Sequence, residues 1–273
     1  MKILFDEKIE VLTPCFCAGA NQFKPEIRSP SIRGELRWWF RALGGTRNEE
    51  SQVFGSIEAK DKNGQKQTEN RASALKIRCS EAKKGEYEER SIPSNIRFFL
   101  KSRLDKTQNC FIPGGQKFHL QIIDTKKASE NILTDLSIDA FTRLGALGLR
   151  SNRGCGALQT ASYRPTREEF IKWSTQLIAL GVDIFPLQPE NSAFAAWTIL
   201  EEQIKEFRTR MGIKKNEENA MGFVHGNKRH ASCLRVRPVA LANGTFLPIF
   251  IYSETGLSNG IKSIQPQLKS FFA

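Results

Sequence analysis

The segment 25–45 constrains the fold more than any other part of the chain. Its apolar side chains recur at the spacing of one helical face and define a stripe that must be buried: Ile32, Leu36, Trp39, Phe40 and Leu43. Ser31 is a suitable N-cap and the Gly44-Gly45 pair suits a helix end, so we predict a helix over 32–43. One side of this helix must pack on a core, which leaves another side open.

The open side carries an arginine at every fourth residue. Arg33, Arg37 and Arg41 lie within about 80° of one another around the helix axis. A guanidinium group binds phosphate through two parallel hydrogen bonds and keeps its charge near neutral pH, so this row suits a repeating anion such as a nucleic-acid backbone. The alternative is that the arginines solvate the helix or pair with neighbouring acids, namely Glu35, Glu49 and Glu50.

Trp38 lies beside the arginine row and off the apolar stripe. Proteins that bind single-stranded nucleic acid stack bases on aromatic rings next to basic groups, so Trp38 is the best stacking candidate. The remaining tryptophans are predicted to belong to the core: Trp39, Trp173 and Trp197.

The charge balance points to an anionic partner. The chain has 273 residues, with 41 lysines and arginines against 29 acids, and a formal net charge of +12. Such an excess attracts polyanions, so RNA, DNA and anionic membrane surfaces are candidates. The chain has no run of about 18 apolar residues to span a bilayer, and its first residues lack the pattern of a signal peptide. We therefore expect a soluble, cytoplasmic protein with no membrane partner.

The order of elements predicts an α+β fold. The patterns define, in chain order, strand 2–12, helix 32–43, strands 74–79 and 117–123, helix 131–144 and strand 157–163. This order is that of a ferredoxin-like sheet, which is related to the RRM fold. We place this N-terminal domain at 1–164.

The second half, 165–273, contains a less complete set of elements. Its patterns predict helices after Pro165 and over 191–210, strands over 232–241 and 245–252, and a final helix over 261–272. Asn243-Gly244 between the two strands is a strong hairpin pattern. We expect a second, degenerate ferredoxin-like fold packed against the first.

A second basic segment, 143–156, combines arginines with four glycines. Glycines allow backbone amides to approach a ligand closely, and Arg150 and Arg153 supply charge. The segment lacks the Gly-Lys-Ser/Thr ending of a Walker loop, and it follows a helix, unlike a dinucleotide-binding fingerprint. We therefore predict contacts with a nucleic-acid backbone here, including Gly154. The alternative is a tight helix-to-strand turn that simply needs Gly154 and Gly156.

A third basic segment, 213–230, is long and polar and ends in Lys228, Arg229 and His230. It leads into a strand that carries Arg235 and Arg237 on one face. Lys228 and Arg229 are therefore further candidates for RNA contacts, and a solvated loop is an equal alternative.

Patterns for catalysis and for metal binding are weak. Six cysteines lack the paired spacing of zinc sites and are predicted to be reduced thiols, and the three histidines are not at metal-ligand spacing. We expect no metal and no cofactor. No nucleophile elbow or Cys-His-Asp set can be assembled, so we assign no catalytic residue. The alternative is that His225 or His230 acts as a general base on a ribose hydroxyl in metal-independent RNA cleavage.

Three segments together resemble one protein family. They are Thr13 to Asn21, Pro25 to Arg41 and Gly148 to Gly156. They closely resemble the RAMP proteins of type III-B CRISPR effectors, in the subunit-one family of the Cmr complex. The specific part of the resemblance covers 11–56 and 141–160. The chain departs from the family at Ala18-Gly-Ala20, where Gly-Gly-Ala is usual, and it is shorter than many relatives.

This resemblance implies two ferredoxin-like folds in an RNA-binding subunit that caps a filament of backbone subunits and does not cut RNA. It implies contacts with the 3′ part of a guide RNA and with the target RNA, and other RAMP subunits as partners, in antiviral defence. Carried onto matching positions, the implied RNA contacts are Lys24, Arg28, Arg33, Arg37, Arg41, Arg150, Asn152 and Arg153.

Two alternatives remain open. A RAMP endoribonuclease that processes guide RNA precursors would use a histidine. In the other alternative, the arginine face of the helix binds a neighbouring protein subunit and not RNA. A single RNA site made of the helix and the 150–156 loop requires that the two converge in space.

Overall fold

A computed structural model shows a mixed α+β fold with two larger antiparallel sheets. It describes residues 1–21, 23–57, 59–60, 66–80, 92–93, 96, 111–213, 218–225, 228–257 and 260–273. In chain order its helices and strands are β1 (Lys2–Val11), α1 (Ser29–Ala42), α2 (Arg47–Phe54), β2 (Ala59–Lys60), β3 (Lys66–Thr68), β4 (Leu75–Cys79), β5 (Lys117–Asp124), α3 (Ile132–Leu144), β6 (Leu158–Thr160), α4 (Arg167–Ala179), β7 (Asp183–Pro186), α5 (Ala193–Arg210), β8 (Phe223–His225), β9 (Lys228–His230), β10 (Leu234–Ala240), β11 (Phe246–Tyr252) and α6 (Gln265–Phe272).

The first sheet is ordered β4-β5-β1-β6. β1 pairs with β5 from Lys2 to Glu10, whereas β6 pairs only with Ile9–Val11. α1 and α3 pack against each other and against this sheet. The apolar stripe predicted for α1 is buried as expected, with Ile32, Leu36, Trp39 and Phe40 fully inaccessible to solvent. The first sheet and its two helices therefore fix which side of α1 stays open.

The second sheet is ordered β10-β11-β7. β10 and β11 form the predicted hairpin, and Gly244 at its turn has a φ of +82° that favours glycine. α5 packs on β10 and β11. β7 is not predicted from the sequence, because a strand of four residues is too short to show a period.

The two sheets are joined by shared buried side chains. Gln159 on β6 donates to the carbonyl of Ala240 at 2.9 Å and accepts from its N–H at 2.8 Å. Val239 and Leu247 belong to the same hydrophobic cluster as Ile9 of the first sheet. β10 is buried along its whole length. The second sheet is therefore positioned by the first.

The helix starts differ from those predicted. α1 begins at Ser29, and Arg28 holds the N-cap position without a side-chain hydrogen bond. Pro30 lies in the first turn, where its missing N–H costs no helical hydrogen bond. Pro266 has the same place in α6, which therefore begins at Gln265. The sequence patterns also do not predict α2, which is only eight residues long.

A pair of substitutions in α1 tests this packing. Gly34 is exposed in the middle of α1, and a Cβ there would meet no atom within 4 Å. We expect Gly34→Ala to raise the free energy of unfolding by about 0.5–1 kcal/mol, because alanine reduces the entropy of the unfolded chain. Leu36→Ala should lower it by about 2–5 kcal/mol, because it leaves a cavity in the core. Urea denaturation of both variants measures the two changes, and equal changes would contradict the assigned faces of α1.

Candidate nucleic-acid interface

The arginine row of α1 lines an open cleft of about 740 Å³. α2 and the segments around Ser56 and Arg71 form its other walls. The charged groups that line the cleft are Arg33, Arg37, Arg41, Arg47, Arg71 and Glu50. Among the residues that the structure describes, five arginines face one carboxylate, which gives this part of the cleft a positive potential. The three arginines predicted from the sequence therefore do share one site.

Glu50 holds two members of the row in place. A capping box formed by Thr46 and Glu49 starts α2 directly after the turn that ends α1. This start places the buried carboxylate of Glu50 beside α1, where it accepts hydrogen bonds from Arg37 Nε at 2.5 Å and Arg41 Nη1 at 2.7 Å. The predicted pairing with neighbouring acids is thus real for Glu50. The Glu50 carboxylate neutralises one positive charge and fixes the guanidinium groups of Arg37 and Arg41.

Two other arginines of the cleft, Arg33 and Arg71, form no ion pair with another residue that the structure describes. Arg33 Nε is buried, with no hydrogen-bond partner in the part of the chain that the structure describes. Arg71 is exposed, and its backbone exchanges two hydrogen bonds of 2.9 Å with Ser56. Sequence reasoning missed Arg47 and Arg71, since only the turn into α2 and the Ser56–Arg71 pairing bring them to α1.

The loop 148–156 is attached to β10. The N–H of Val236 donates to the carbonyl of Asn152 at 3.3 Å, and the Asn152 side chain donates to Ser232 at 3.4 Å. Arg237 donates to the carbonyl of Ser151. No described residue of the loop lines the arginine cleft. The loop is therefore fixed to the second sheet.

Arg235 connects the same strand to α1. Its guanidinium donates to Glu35 Oε2 at 2.7 Å and lies 3.4 Å from the ring centroid of Trp38. Burial lowers the pKa of Arg235, and the carboxylate of Glu35 opposes that shift. The arginine row thus faces α2 on one flank of α1, while the other flank contacts β10 beside the loop. Helix and loop meet the same strand without forming one cleft.

Trp38 has contacts on more than one side. Arg235 covers one face of its ring, and its edge meets Trp39 at 4.9 Å between centroids. The ring therefore helps to attach α1 to β10. Base stacking by Trp38 stays a prediction. Trp39 and Trp197 are fully buried, as predicted, and Trp173 is half-buried.

The glycines of the loop serve close packing within the protein. Gly154 and Gly156 both have positive φ. A Cβ at Gly156 would lie 2.1 Å from the carbonyl oxygen of Leu147, and one at Gly154 would lie 2.6 Å from the Trp197 ring. Gly154 is buried, donates to Ser151 at 3.4 Å and accepts from Thr13 at 2.5 Å. We therefore expect Gly154 to shape the loop, as the tight-turn alternative states.

The two arginines of the loop differ in environment. Arg150 is exposed and has a φ of +58°. Arg153 is half-buried, and this burial lowers its pKa, while the charge of Glu201 opposes the shift. Burial likewise raises the pKa of Glu201, and the charge of Arg153 opposes that shift. Of the two, Arg150 is better placed to reach an external ligand.

The remaining predicted contacts are spread over two regions. Lys24 and Arg28 are exposed in the segment before α1, and Arg28 lies 3.9 Å from Glu26. Lys228 and Arg229 lie in β9, but their side chains fall outside the described residues, as does that of His225. His230 is partly buried. RNA contacts by these residues stay predictions.

Other chemistry is sparse in the described part of the chain. Its His, Cys, Asp and Glu side chains form no group of three that could hold a metal ion. None of its helices has both the length and the apolar character needed to cross a membrane. The described cysteines are free thiols, and a hydrogen bond between Cys15 and Cys17 raises the pKa of the first and lowers that of the second.

Comparisons with a family model and with individual known proteins indicate the same family. The model of the RAMP superfamily matches residues 8–159, more than half of the chain. The CRISPR system Cmr subunit Cmr1-2 of Pyrococcus furiosus is 28% identical over 193 residues, which are 59% of this chain and 96% of that protein. Cmr subunit Cmr1-1 of the same organism is 32% identical over 151 residues, which are 50% of this chain and 40% of that protein.

Solved structures share the fold over most of the chain. The apo form of Cmr1 from Pyrococcus furiosus has a TM-score of 0.62 at 21% identity, covering 91% of this chain and 87% of that one. A chain of the type III-B Cmr-beta complex bound to cognate target RNA has a TM-score of 0.59 at 13% identity, covering 93% and 94%. The resemblance inferred from the three sequence segments is thereby confirmed.

The link between α1 and β10 gives a stability prediction. Glu35→Ala leaves the buried Arg235 guanidinium without its carboxylate, so we expect a loss of about 3–5 kcal/mol in the free energy of unfolding. Glu130→Ala removes a partner from the exposed pair with Lys127 and should cost less than about 1 kcal/mol. Urea denaturation compares the two, and similar small losses would show that the Arg235 contact does not hold α1.

Proposed function

The chain belongs to the RAMP superfamily, and we propose that it is the non-catalytic RNA-binding subunit one of a type III-B CRISPR effector, the Cmr complex. Two relatives support this assignment, since both are Cmr subunits of Pyrococcus furiosus. The fold is shared with Cmr1 of that organism and with a chain of a target-bound Cmr-beta complex.

We propose further that both sheets are ferredoxin-like. The elements β1, α1, β4, β5, α3 and β6 with the sheet order β4-β5-β1-β6 match that arrangement. The elements β7, α5, β10 and β11, followed by α6, match its first three strands and two helices. We place the division between the two folds at 164/165.

The observation that carries the RNA assignment is the arginine cleft. Successive arginines of the row are about 6 Å apart along the helix axis, because each is separated from the next by four residues. Glu50 orients Arg37 and Arg41, while Arg33 and Arg71 form no ion pair within the described part of the chain. Such a strip of oriented guanidinium groups fits successive phosphates of a single strand better than one isolated anion.

The role within the complex follows from the same assignment. The subunit would cap the filament of backbone subunits and contact the 3′ part of the guide RNA together with the target RNA. Its partners would be guide and target RNA and the other RAMP subunits in the cytoplasm. Arg150, on the β10 side of α1, and Lys24 and Arg28, before the helix, would extend the contact beyond the cleft.

RNA binding should depend on the arginine row and on salt. The variant Arg33→Ala/Arg37→Ala/Arg41→Ala is expected to bind a labelled single-stranded RNA at least about tenfold more weakly at low salt. The slope of log K against log salt should become shallower by roughly 2, because three phosphate contacts are lost. Fluorescence anisotropy over a salt series measures both quantities.

A matched control removes the same charge elsewhere. Lys126, Lys172 and Lys262 are exposed and lie outside the cleft. Their triple alanine variant should lose much less affinity than the arginine variant at the same net charge. Equal losses would show that overall charge, and not the cleft, binds RNA.

The endoribonuclease alternative makes a different prediction. If the chain only binds RNA, incubation with a guide RNA precursor should leave the precursor intact. Defined products that disappear in His225→Ala or His230→Ala would establish the nuclease and overturn the non-catalytic assignment. Denaturing gel electrophoresis of the products distinguishes the two.

A further inference from the structure

The central strand of the first sheet is only partly covered on one side. β1 has ten residues, and β5 pairs with it from Lys2 to Glu10. On the other side β6 pairs only with Ile9–Val11, and the chain then turns away after Thr160. Within the described residues, the stretch Lys2–Glu7 therefore has an open edge.

In this stretch, the backbone N–H and C=O groups of alternate residues point outward from the open edge. Leu12 donates to Ala157, and the Lys8 carbonyl accepts from Ala161 at 2.8 Å, so even-numbered residues here face the β6 side. The pairing of β1 with β5 is continuous from Phe5 onward. The N–H and C=O of Asp6 must therefore face the same side, beyond the last contact with β6.

A cleft of about 470 Å³ lies along this open edge. Its floor is β1, and its wall is α3 through Asp135, Ile138 and Thr142. Ser162 and Tyr163 close the end at which β6 stops. The cleft thus lies where β6 would pair with β1 if β6 were longer, so it has room for an added strand.

The wall of the cleft is held rigidly and its charges are partly paired. Arg143 donates to Asp139 at 2.6 Å and lies over the rings of Tyr163 and Trp173, at 4.3 and 4.8 Å from their centroids. Trp173 donates to the other oxygen of Asp139 at 2.7 Å. Because these contacts already fix the side chains of the wall, a strand that binds there would lose little conformational entropy in ordering them.

The net charge of the groups that line this cleft is opposite in sign to the net charge of the chain. Its charged groups are Lys2, Glu7, Asp135, Asp139 and Arg143. Since Asp139 and Arg143 pair with each other, Glu7 and Asp135 outweigh Lys2, whereas the chain carries a net charge of +12. Ile3 and Ile132, at the start of β1 and of α3, are 57% and 67% exposed and add apolar surface. An RNA strand would be repelled here, and a basic, partly apolar polypeptide would be attracted.

We propose that the open edge of β1 binds an extended segment of a partner protein, in which basic side chains alternate with apolar ones, as an added strand. Its backbone pairs with Asp6 and its neighbours, and its apolar side chains pack on Ile138 and Phe5. Its basic side chains point to the opposite, exposed face of the sheet, and the negative charge of Glu7 and Asp135 attracts the segment as a whole. The site is separate from the arginine cleft, so the chain has one face for RNA and another for protein.

The first test uses a peptide probe and leaves the protein unchanged. A labelled peptide that alternates lysine and valine, long enough to pair with Lys2–Glu7, should bind and should slow the hydrogen exchange of the Asp6 amide. The same peptide N-methylated at alternate residues keeps its charge but cannot pair along one edge, and it should bind at least about tenfold more weakly. A peptide that alternates glutamate and valine should not bind.

The second test changes the edge itself. Asp6→Pro removes an N–H that is not donated to β5, and proline is tolerated at strand edges. Its matched control, Asp6→Ala, loses the same side-chain contacts with His119 and Gln121 but keeps the N–H. We expect Asp6→Pro to abolish peptide binding and Asp6→Ala to retain it, while both variants bind RNA as the parent does.

The outcomes separate the proposal from its rivals. Equal binding of the N-methylated peptide would overturn strand addition. Equal binding of the acidic peptide would overturn the charge argument, and binding of single-stranded RNA that competes with the peptide would show that this face is not a protein site. If the Asp6→Pro variant does not fold, the N-methylated peptide decides the question alone. Neither result bears on RNA binding by the arginine cleft.

Discussion

The contact of Arg235 with Glu35 and Trp38 holds the two sheets in their relative positions. Arg235 comes from the second sheet and both of its partners come from α1, so a buried ion pair and a stacked ring join elements about 200 residues apart. A buried arginine has a high desolvation cost, which the carboxylate of Glu35 offsets for Arg235. The flank of α1 turned toward β10 is therefore fixed, and the opposite flank, with its arginine row, must face α2.

The loop 148–156 depends on the same strand. Arg237 is fully buried next to Arg235, burial lowers its pKa to about 9, and its guanidinium binds carbonyl groups of Leu144 and of the loop. The sequence pattern indicated that the loop glycines bind a ligand. In the structure, Gly156 and Gly154 instead allow the backbone to pack closely against Leu147 and Trp197. A residue pattern typical of nucleic-acid binding thus also has a structural use, and of the two loop arginines Arg150 is the exposed one.

The charged surfaces of the chain are divided between two faces. In the described part of the chain, the cleft between α1 and α2 collects five arginines around one buried carboxylate, and the cleft between β1 and α3 is acidic and partly apolar. Net charge alone describes neither, because it sums groups that the fold places in separate clefts.

The sequence by itself determined the local elements that have a clear period: the buried stripe of α1, the β10–β11 hairpin, the order along the chain of the main strands and helices of the first half, and the common side of Arg33, Arg37 and Arg41. It could not reveal α2 and β7, which are too short to show a period, or the places of Arg47 and Arg71 in the cleft. Only the tertiary structure decided that Glu50 orients the row and that Arg235 covers Trp38. The physical reason is that spacing along a helix fixes direction around its own axis, whereas the partner of each side chain is set by elements brought close by packing of the core.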